Sequence, residues 1–352
     1  MRSIIYTRQG PPSVLHMAER AVPEPGEGLV RVRIHVAGVN PTDPDARKGA
    51  DTLPEPQVPG QDGAGVVDAV GESVTQLAVG DRVWVWDAAW QRTEGTLQDF
   101  VVLPERQVVK LPDSASFEVG ASLGIPVLTA HRLLTSFGGG PDRLQPGALQ
   151  GSTVLVQGGA GDVGHAVIQF ASWASARVIA TVRTDEQRVL ATAAGADHVI
   201  DFTAEDVVDA VRRIAPDGVH IITEVAAAEN LPTDLEVIAP SGGIAIYTPG
   251  PGTVDVPAVE AMTKNVQLSF VLTYTTTTQE KDAAVAAVTA LLADDAFAVG
   301  TAAGLPLTTF TLEDAAAAHQ AVEDHKPGKV LVDVVTRVDD RPANPTPTED
   351  PS

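Results

Sequence analysis

The segment Val154-Leu155-Val156-Gln157-Gly158-Gly159-Ala160-Gly161-Asp162-Val163-Gly164 decides the fold of this chain. Its first three residues are apolar and predict a short buried strand, and the pattern that follows predicts a helix over Val163–Ser172. Between the two, Gly159, Gly161 and Gly164 match the G-x-G-x-x-G spacing. A turn of this kind between a strand and a helix indicates a dinucleotide-binding site.

Each glycine of the motif has an expected task. We expect Gly159 to permit the tight turn, Gly161 to let backbone N–H groups approach a pyrophosphate, and Gly164 to let helix and strand pack closely. The helix N-terminus would add partial positive charge for the anion. Asp162 does not suit this role, because a carboxylate repels a pyrophosphate. We therefore expect its side chain to point away or to cap the helix.

Strand and helix patterns alternate from Ser152 onward, which predicts an α/β fold. Repeated β-α-β units of this kind indicate a Rossmann doubly wound parallel sheet, here expected over residues 126–304. Besides residues 154–156, the predicted strands are Arg177–Val182, His198–Ile200, Val219–Thr223, Gly243–Tyr247 and Val266–Leu272, and a second helix is predicted over Asp185–Ala194.

The first part of the chain has a different sequence pattern. Short β-rich runs such as Val30–Val36 alternate apolar and polar residues and are separated by Gly and Pro. They predict a β-rich domain over residues 1–125, which a strand at Val330–Val335 rejoins within about 305–335. Residues 336–352 are rich in Pro and Asp and lack apolar periodicity, which predicts a disordered tail.

Charge and cysteine content exclude several classes of protein. The 24 Lys and Arg against 46 Asp and Glu give a formal net charge of −22, which disfavours nucleic acid and membrane surfaces as partners. A local basic pocket would have to be built from specific Arg or Lys residues. The chain has no cysteine, so disulfides and thiolate metal sites are excluded. We expect a cytoplasmic protein.

The end of the second strand of the alternating part indicates the type of dinucleotide. NAD sites usually carry an acid there, whereas this chain has Ala180-Thr181-Val182-Arg183. The Arg183 guanidinium could hold a 2′-phosphate through charge-assisted hydrogen bonds, which predicts NADPH as the cofactor. The alternative is an ordinary solvated surface arginine.

Several ordered motifs carry a family resemblance. They are Ala37–Asp43, Val58–Val67, Val79–Val83, the glycine-rich segment above, Gly124–Arg132 and Glu224–Leu231. The chain resembles the medium-chain dehydrogenase/reductase superfamily and, within it, the zeta-crystallin-like NADPH:quinone oxidoreductases. The resemblance implies a GroES-like β-rich domain beside the Rossmann domain, with the nicotinamide in the cleft between them.

The same resemblance implies a reaction without metal. Zinc-dependent members carry a catalytic Cys where this chain has Asn40, and a His-Glu pair where it has Gln61 and Asp62. The eight histidines are scattered, without H-E-x-x-H spacing. Hydride delivery to a quinone needs only binding and orientation by the protein. We therefore expect no metal.

Residues matching the family's positions provide the candidate site. The resemblance implies Asn40 and Asp43 near the nicotinamide and Arg132 at the cleft floor as catalytic candidates. Asn40 could instead be a turn former, and Asp43 and Arg132 could form a structural ion pair. The implied cofactor-binding residues are Thr129 at the cleft floor, Ala160, Gly161, Asp162 and Val163 at the pyrophosphate, Thr181 and Arg183 at the adenosine end, Asn230, and Phe270, Val271 and Leu272 beside the nicotinamide.

Two further residues are open to more than one interpretation. Lys329 follows a Pro-Gly turn and could reach the 2′-phosphate or be a solvated turn residue. Trp90 is the aromatic residue that we expect in the wall of a substrate pocket, while Trp84 and Trp86, on one face of a strand, are expected in packing. The family often has Tyr where this chain has Asp45.

The sequence supports three functions. The first is NADPH-dependent hydride transfer to a quinone. The second is reduction of an enone or alkenal double bond, because the same hydride geometry serves any conjugated acceptor. The third is a nucleotide-binding protein without catalysis. We also expect a homodimer through the edge strand Val266–Leu272, since an exposed apolar edge invites pairing.

Overall fold

The structure is a computed structural model, and it describes residues 1–335. The predicted disordered tail, residues 336–352, lies outside the described residues. Within residues 1–335, no helix is both long and apolar enough to cross a membrane.

Residues 1–135 form mostly short strands, as the Gly- and Pro-broken pattern predicts. The strands are β1 (Arg2–Arg8), β2 (His16–Glu19), β3 (Leu29–Val39), β4 (Thr52–Gln57), β5 (Asp62–Val70), β6 (Arg82–Val85), β7 (Phe100–Pro104) and β8 (Val108–Lys110). The helices are α1 (Thr42–Arg47), α2 (Phe117–Gly120) and α3 (Gly124–Thr135).

Strands and helices alternate in the rest of the described chain. The strands are β9 (Thr153–Val156), β10 (Arg177–Val182), β11 (His198–Asp201), β12 (Val219–Glu224), β13 (Ile238–Ile246), β14 (Gln267–Phe270), β15 (Leu307–Thr311) and β16 (Lys329–Asp333). The helices are α4 (Asp162–Trp173), α5 (Asp185–Ala193), α6 (Val207–Ile214), α7 (Ala227–Val237), α8 (Ala258–Lys264), α9 (Thr278–Ala293) and α10 (Ala315–Glu323).

Six strands form the parallel sheet that the glycine-rich segment predicts. Their order is β11-β10-β9-β12-β13-β14, and every neighbouring pair is parallel. The chain starts at the central strand β9, winds outward through β10 and β11, and then winds outward on the other side. This order confirms the Rossmann doubly wound sheet.

The β-rich part forms two further sheets. One has the order β2-β1-β4, and the other has the order β15-β16-β3-β5-β6-β8, with β7 also paired to β3. β16 pairs antiparallel with β3, with Val330 opposite Val39, so the C-terminal strand returns to the first part of the chain. The limits of the two domains, 1–125 with 305–335 and 126–304, stay predictions.

Side-chain caps define where several helices of the Rossmann part begin. The hydroxyl of Thr184 caps α5, the carboxylate of Asp206 caps α6, and Thr277 begins α9 with a reciprocal capping box. Each cap satisfies a backbone N–H group that the helix leaves unpaired, and each stabilises its helix by roughly 1 kcal/mol.

Apolar side chains from both parts of the chain meet in one core. Trp84 of β6 and Trp86, which directly follows this strand, pack in the same cluster as Val127 and Leu128 of α3 and Leu331 of β16. Trp84 is fully buried and Trp86 is 3% exposed, so both pack in the core as predicted. The cluster fixes α3 between the β-rich sheet and the Rossmann sheet.

The close approach of α4 to the glycine-rich turn provides a test of the fold. A Cβ atom added at Gly164 would lie 2.3 Å from the Gly158 carbonyl oxygen, whereas one added at Gly161 would meet nothing nearer than 3.5 Å. We expect Gly164→Ala to destabilise the protein by about 1–3 kcal/mol, although alanine has the higher intrinsic helix propensity. Urea denaturation measures this change.

Gly161→Ala is the control for that substitution, and we expect it to shift the denaturation midpoint by less than half as much. Equal stability of Gly164→Ala and the wild type would contradict the packing described for α4.

Candidate active site

In the glycine-rich turn between β9 and α4, the individual glycines have different roles from those expected from the sequence. Gly158 has a φ of +72°, in the left-handed region that favours glycine, whereas Gly159 does not. A Cβ atom at Gly159 would lie 2.7 Å from the Cβ of Ala180 on β10. The expectation that Gly159 permits the tight turn is therefore wrong: Gly158 makes the turn, and Gly159 allows close packing on β10.

The other two glycines of the motif lie at the start of α4. Gly164 approaches the backbone of the turn closely, and Gly161 is the exposed N-cap residue, where an added Cβ would make only ordinary contact with the Gly158 carbonyl oxygen. Ala160 before it is buried, and Val163 is half-buried. The unpaired N–H groups at the start of this helix form a favourable position for an anion.

A cavity of about 720 Å³ opens beside the turn, at the carboxyl ends of the parallel strands. Such an edge, where the strand order reverses, is where doubly wound folds bind ligands. Three predicted cofactor-binding residues line it: Thr181, Arg183 and Asn230. The lining residues that sequence reasoning missed include Gln157, Gly158, Gln187, Phe202–Val208, Val225, Ala226 and Glu229.

Arg183 is the exposed cation in the wall of this nucleotide cavity. Its backbone N–H donates to Gln187 Oε1 at 3.0 Å, which holds the main chain at the start of α5. Within residues 1–335 its guanidinium forms no ion pair. The side chain is therefore available to an anionic ligand.

A chain of buried polar groups supports the nucleotide cavity. Asp234 Oδ1 accepts a hydrogen bond from Gln157 Nε2 (2.9 Å), Gln157 Oε1 accepts one from the Thr181 hydroxyl (2.6 Å), and Thr181 Oγ1 accepts the Gly158 N–H (3.2 Å). Burial raises the pKa of Asp234, and the neighbouring carboxylate of Glu224 raises it further.

One proton between the two carboxyl groups explains how they tolerate burial. Glu224 Oε2 and Asp234 Oδ2 have no other partner among the described residues, and the two side chains are hydrogen-bonded neighbours. A proton retained on Asp234 satisfies both oxygens and avoids two like charges in a buried site.

Lys329 lies where the two parts of the chain meet. Its side chain is fully buried, and its Nζ lies 2.6 Å from Asn40 Oδ1, 3.4 Å from the Val39 carbonyl and 3.5 Å from Asp162 Oδ2. The alternative that Lys329 is a solvated turn residue is therefore wrong. The ammonium group of Lys329 also lies opposite the Asp162 carboxylate. This carboxylate therefore has a countercharge, and it does not cap α4.

Asn40, Asp43 and Asp62 form a buried network next to Lys329. Asn40 Nδ2 donates to Asp62 Oδ2 at 2.7 Å, and the Asn40 N–H donates to Asp43 Oδ2 at 2.8 Å. Asp43 Oδ1 also accepts the Gly60 N–H, and Asp62 accepts the Ile125 N–H at the start of α3. The hydrogen bonds of this network therefore fix the positions of the backbone segments whose N–H groups they use.

Burial raises the pKa of Asp43 to about 7 and that of Asp62 to about 6. The ammonium group of Lys329 opposes both shifts, as do the N–H groups that donate to each carboxylate. The network therefore combines two carboxyl groups of raised pKa with one buried cation at the boundary of the two sheets.

Thr129 and Arg132, both predicted at the cleft floor, lie on α3. The Arg132 guanidinium pairs with Glu280 Oε1 of α9 at 2.8 Å, and the Thr129 side chain is buried. The alternative of an ion pair between Arg132 and Asp43 is therefore wrong, because Arg132 pairs within the Rossmann part. Neither Thr129 nor Arg132 lines the cavities described here.

A second cavity, of about 620 Å³, lies in the cleft between the two parts and is called here the cleft cavity. Trp90 forms its wall together with Tyr274, with ring centroids 4.5 Å apart and planes 16° from parallel. The Tyr274 hydroxyl is hydrogen-bonded to Thr42 Oγ1 at 2.7 Å. The cavity is lined by Tyr6, Thr42, Asp45, Ala46, Leu53, Gln57, Gln61, Ala89, Trp90, Gln91, Arg92, Thr93, Leu272 and Tyr274.

The three residues expected beside the nicotinamide have different environments. Leu272 lines the cleft cavity, Val271 is buried in the core, and Phe270 is 68% exposed at the edge strand β14. The expectation that all three lie beside the nicotinamide stays a prediction.

The donor set at the family's zinc position does not fit a zinc ion. Asn40 and Asp62 are hydrogen-bonded to each other, and Gln61 Oε1 accepts the Ala89 N–H. The buried Lys329 ammonium lies beside them, and the chain has no thiolate to offer. Within residues 1–335, no three His, Cys, Asp or Glu side chains are grouped as metal ligands.

Comparison with known proteins agrees with the pairing of a GroES-like sheet with a Rossmann sheet. Residues 26–113 match the alcohol dehydrogenase GroES-like domain, and residues 163–290 match the zinc-binding dehydrogenase family. The quinone oxidoreductase of Lama guanicoe is 31% identical over 284 residues, which span 80% of this chain and 82% of the relative.

Several solved structures are similar to this chain over nearly its whole length. A mycobacterial protein in complex with NADPH is 30% identical, with a TM-score of 0.77 over 95% of this chain and 100% of its own. The Escherichia coli quinone oxidoreductase in complex with NADPH is 25% identical, with a TM-score of 0.77 over the same shares. An NAD-dependent alcohol dehydrogenase is 29% identical, with a TM-score of 0.81 over 95% and 100%.

Fold and site thus define a medium-chain dehydrogenase/reductase. Within that superfamily, the chain belongs to the quinone oxidoreductase family.

The proton shared by Asp234 and Glu224 predicts a pH effect on stability. A carboxyl group whose pKa is raised by folding stabilises the protein below its unfolded pKa, and this contribution is lost as the pH rises towards the folded pKa. In Asp234→Asn the amide can donate to Glu224 at every pH. We expect the wild type to lose stability relative to this variant as the pH rises above the unfolded carboxyl pKa of about 4.

Chemical denaturation of both proteins at pH 5, 6 and 7 measures this difference. Parallel pH profiles for the wild type and Asp234→Asn would contradict the shared proton.

Proposed function

We propose that this protein is an NADPH-dependent oxidoreductase that transfers a hydride to a quinone without a metal ion. The observation that carries the proposal is the pairing of two cavities. One, beside the glycine-rich turn, has the unpaired Arg183 guanidinium in its wall, and the other has stacked aromatic rings in the cleft. Membership of the quinone oxidoreductase family supports the choice of acceptor.

The nucleotide cavity fits a phosphorylated dinucleotide. The N–H groups at the start of α4 would hold the pyrophosphate, and Thr181 and Asn230 would contact the adenosine half. Arg183 would bind the 2′-phosphate that distinguishes NADPH from NADH. Lys329 would act from a distance, since it lies beside Asp162 and reduces the repulsion between that carboxylate and the pyrophosphate.

The bound cofactor would supply the hydride, and the chain's own residues would orient the acceptor. The planar wall of Trp90 and Tyr274 offers a flat apolar surface to a conjugated ring. Burial raises the pKa of Tyr274, so its hydroxyl stays protonated and can donate a hydrogen bond to a carbonyl oxygen of the acceptor. The resulting hydroquinone anion would take its proton from water.

Asn40 and Asp43 would serve this reaction as positioning residues. Their side chains hold the Lys329 ammonium, the Asp62 carboxylate and the turn before α1, and they do not line the cleft cavity. Arg132 would contribute through its ion pair between α3 and α9. The proposal of a metal-free reaction rests on the donor set around Asn40, which offers an amide and a buried ammonium group in place of a thiolate.

Oxidation of NADPH by the chelator-treated protein tests the function. A quinone, a conjugated enone and an aldehyde serve as parallel acceptors, each with an NADH control. We expect turnover with the quinone. Turnover confined to the enone would make the protein a double-bond reductase, and NADPH binding without turnover on any acceptor would make it a nucleotide-binding protein.

Arg183 provides the sharpest test of cofactor choice. A charge-assisted hydrogen bond contributes about 1.5–3 kcal/mol, so we expect Arg183→Glu to weaken NADPH binding by roughly tenfold or more. NADH lacks the 2′-phosphate, and its affinity should change little. Arg177→Glu, which makes the same charge change at the opposite end of β10, is the matched control. Titration calorimetry gives both affinities, and an unchanged preference for NADPH in Arg183→Glu would overturn this assignment.

We also propose a homodimer formed through β14. This strand forms one edge of the parallel sheet. Phe270, its last residue, is 68% exposed, and Leu272, two residues further on, is 50% exposed. Val259 and Met262 of the neighbouring helix α8 are 70% and 74% exposed. Pairing of two β14 edges would cover this apolar surface. A monomeric mass by light scattering at assay concentration would contradict the dimer.

A further inference from the structure

A third cavity, of about 350 Å³, lies next to the cleft cavity and is called here the cationic cavity. It is lined by Trp86, Asp87, Trp90, Gln91, Arg92, Arg106, Gln107, Tyr274, Thr276, Thr278 and Lys281. Trp90, Gln91, Arg92 and Tyr274 also line the cleft cavity, so the two cavities meet at the stacked rings of Trp90 and Tyr274.

The walls of the cationic cavity carry an excess of positive charge. Lys281 Nζ pairs with Asp87 Oδ2 at 2.9 Å, and Arg106 pairs with the exposed Asp282 at 2.9 Å. Arg92 donates to the carbonyl groups of Asp87 and Ala88 and forms no ion pair within residues 1–335. Three cations and one carboxylate therefore line the cavity, and Asp282, the partner of Arg106, is not among the lining residues, in a chain whose formal net charge is −22.

Two buried polar atoms in this wall lack a partner. Trp86 and Asp87 are 3% and 4% exposed, and neither Trp86 Nε1 nor Asp87 Oδ1 has a hydrogen-bond partner among the described residues. The Trp86 ring lies 4.9 Å from Lys281 Nζ and 5.4 Å from the Arg106 guanidinium carbon. Unpaired buried polar atoms are uncommon. The Trp86 Nε1–H is a donor that an anionic ligand could accept from, whereas Asp87 Oδ1 is an acceptor on a carboxylate that already pairs with Lys281.

We propose that the cationic cavity binds a carboxylate arm of the acceptor while the conjugated ring of the same molecule lies in the cleft cavity. The inference rests on the proposed function and specifies its substrate class. Arg92 borders both cavities, so a short flexible arm would suffice to reach it from the ring. The planar guanidinium groups of Arg92 and Arg106 match the geometry of a carboxylate.

A matched pair of acceptors tests the assignment. One is a 1,4-naphthoquinone with a propanoate arm, and the other is the methyl ester of the same compound, which keeps the ring and removes the charge. A hydrogen bond to a charged group contributes at least about 1.5 kcal/mol, so we expect kcat/KM to be roughly tenfold higher for the carboxylate. A kcat/KM for the ester equal to or above that of the carboxylate would overturn the proposal.

Two arginine variants test whether the cationic cavity causes the preference for the carboxylate. Arg106→Gln removes one cation from the cavity, and we expect it to lower kcat/KM roughly fivefold for the carboxylate while leaving the ester unchanged. Arg212→Gln makes the same charge change on the surface, where Arg212 pairs with Glu236, and serves as the control. An undiminished preference for the carboxylate in Arg106→Gln, or an equal loss in Arg212→Gln, would contradict a role of this cavity.

Calorimetry with the propanoate compound separates this inference from the proposed function. We expect weaker binding to Arg106→Gln than to the wild type and to Arg212→Gln. If neither quinone oxidised NADPH, the proposed function would fail, and the same binding series would still decide whether the cavity holds a carboxylate. Equal binding to all three proteins would refute the site.

Discussion

The site depends on one buried amino group. Lys329 Nζ contacts Asn40 of the β-rich part and Asp162 at the first turn of α4, so a single charge joins the two parts of the chain beside the cofactor turn. A fully buried ammonium group needs a partner, and Lys329 finds one in the partly exposed Asp162 carboxylate, which has no other cation within 4 Å in the described chain. With Lys329 in place, an acidic residue is tolerated next to the expected position of a pyrophosphate.

The arrangement of the cleft follows from the groups around that amino group. Asn40 links Lys329 to Asp62, and Asp62 accepts the N–H at the start of α3, which packs in the core that both parts share. The network thus connects α3 to the glycine-rich turn through a series of hydrogen bonds. Asn40, Asp43 and Lys329 support the boundary between the two cavities through hydrogen bonds, although none of the three lines either cavity.

Much of the fold could be predicted from the sequence, because strand periodicity and the G-x-G-x-x-G spacing are local. β10 has the predicted limits, and α4 differs by one residue at each end. The roles of Gly158 and Gly159 could not be predicted from the sequence, since the motif spacing does not show which of the two takes a positive φ. Lys329 and Asn40 are 289 residues apart, and no local pattern reveals such a contact. Tyr274 and Phe202 were missed, although each follows a predicted strand at the edge where cofactors bind.

The dissociation constant of NADPH across one double-variant cycle tests the central claim most directly. The proteins are the wild type, Lys329→Met, Asp162→Asn and the combined variant, measured at one ionic strength. If Lys329 neutralises Asp162, the first substitution should weaken binding by roughly tenfold, and adding Asp162→Asn should restore most of that affinity. Binding that stays as weak in the combined variant as in Lys329→Met would contradict this account of the site.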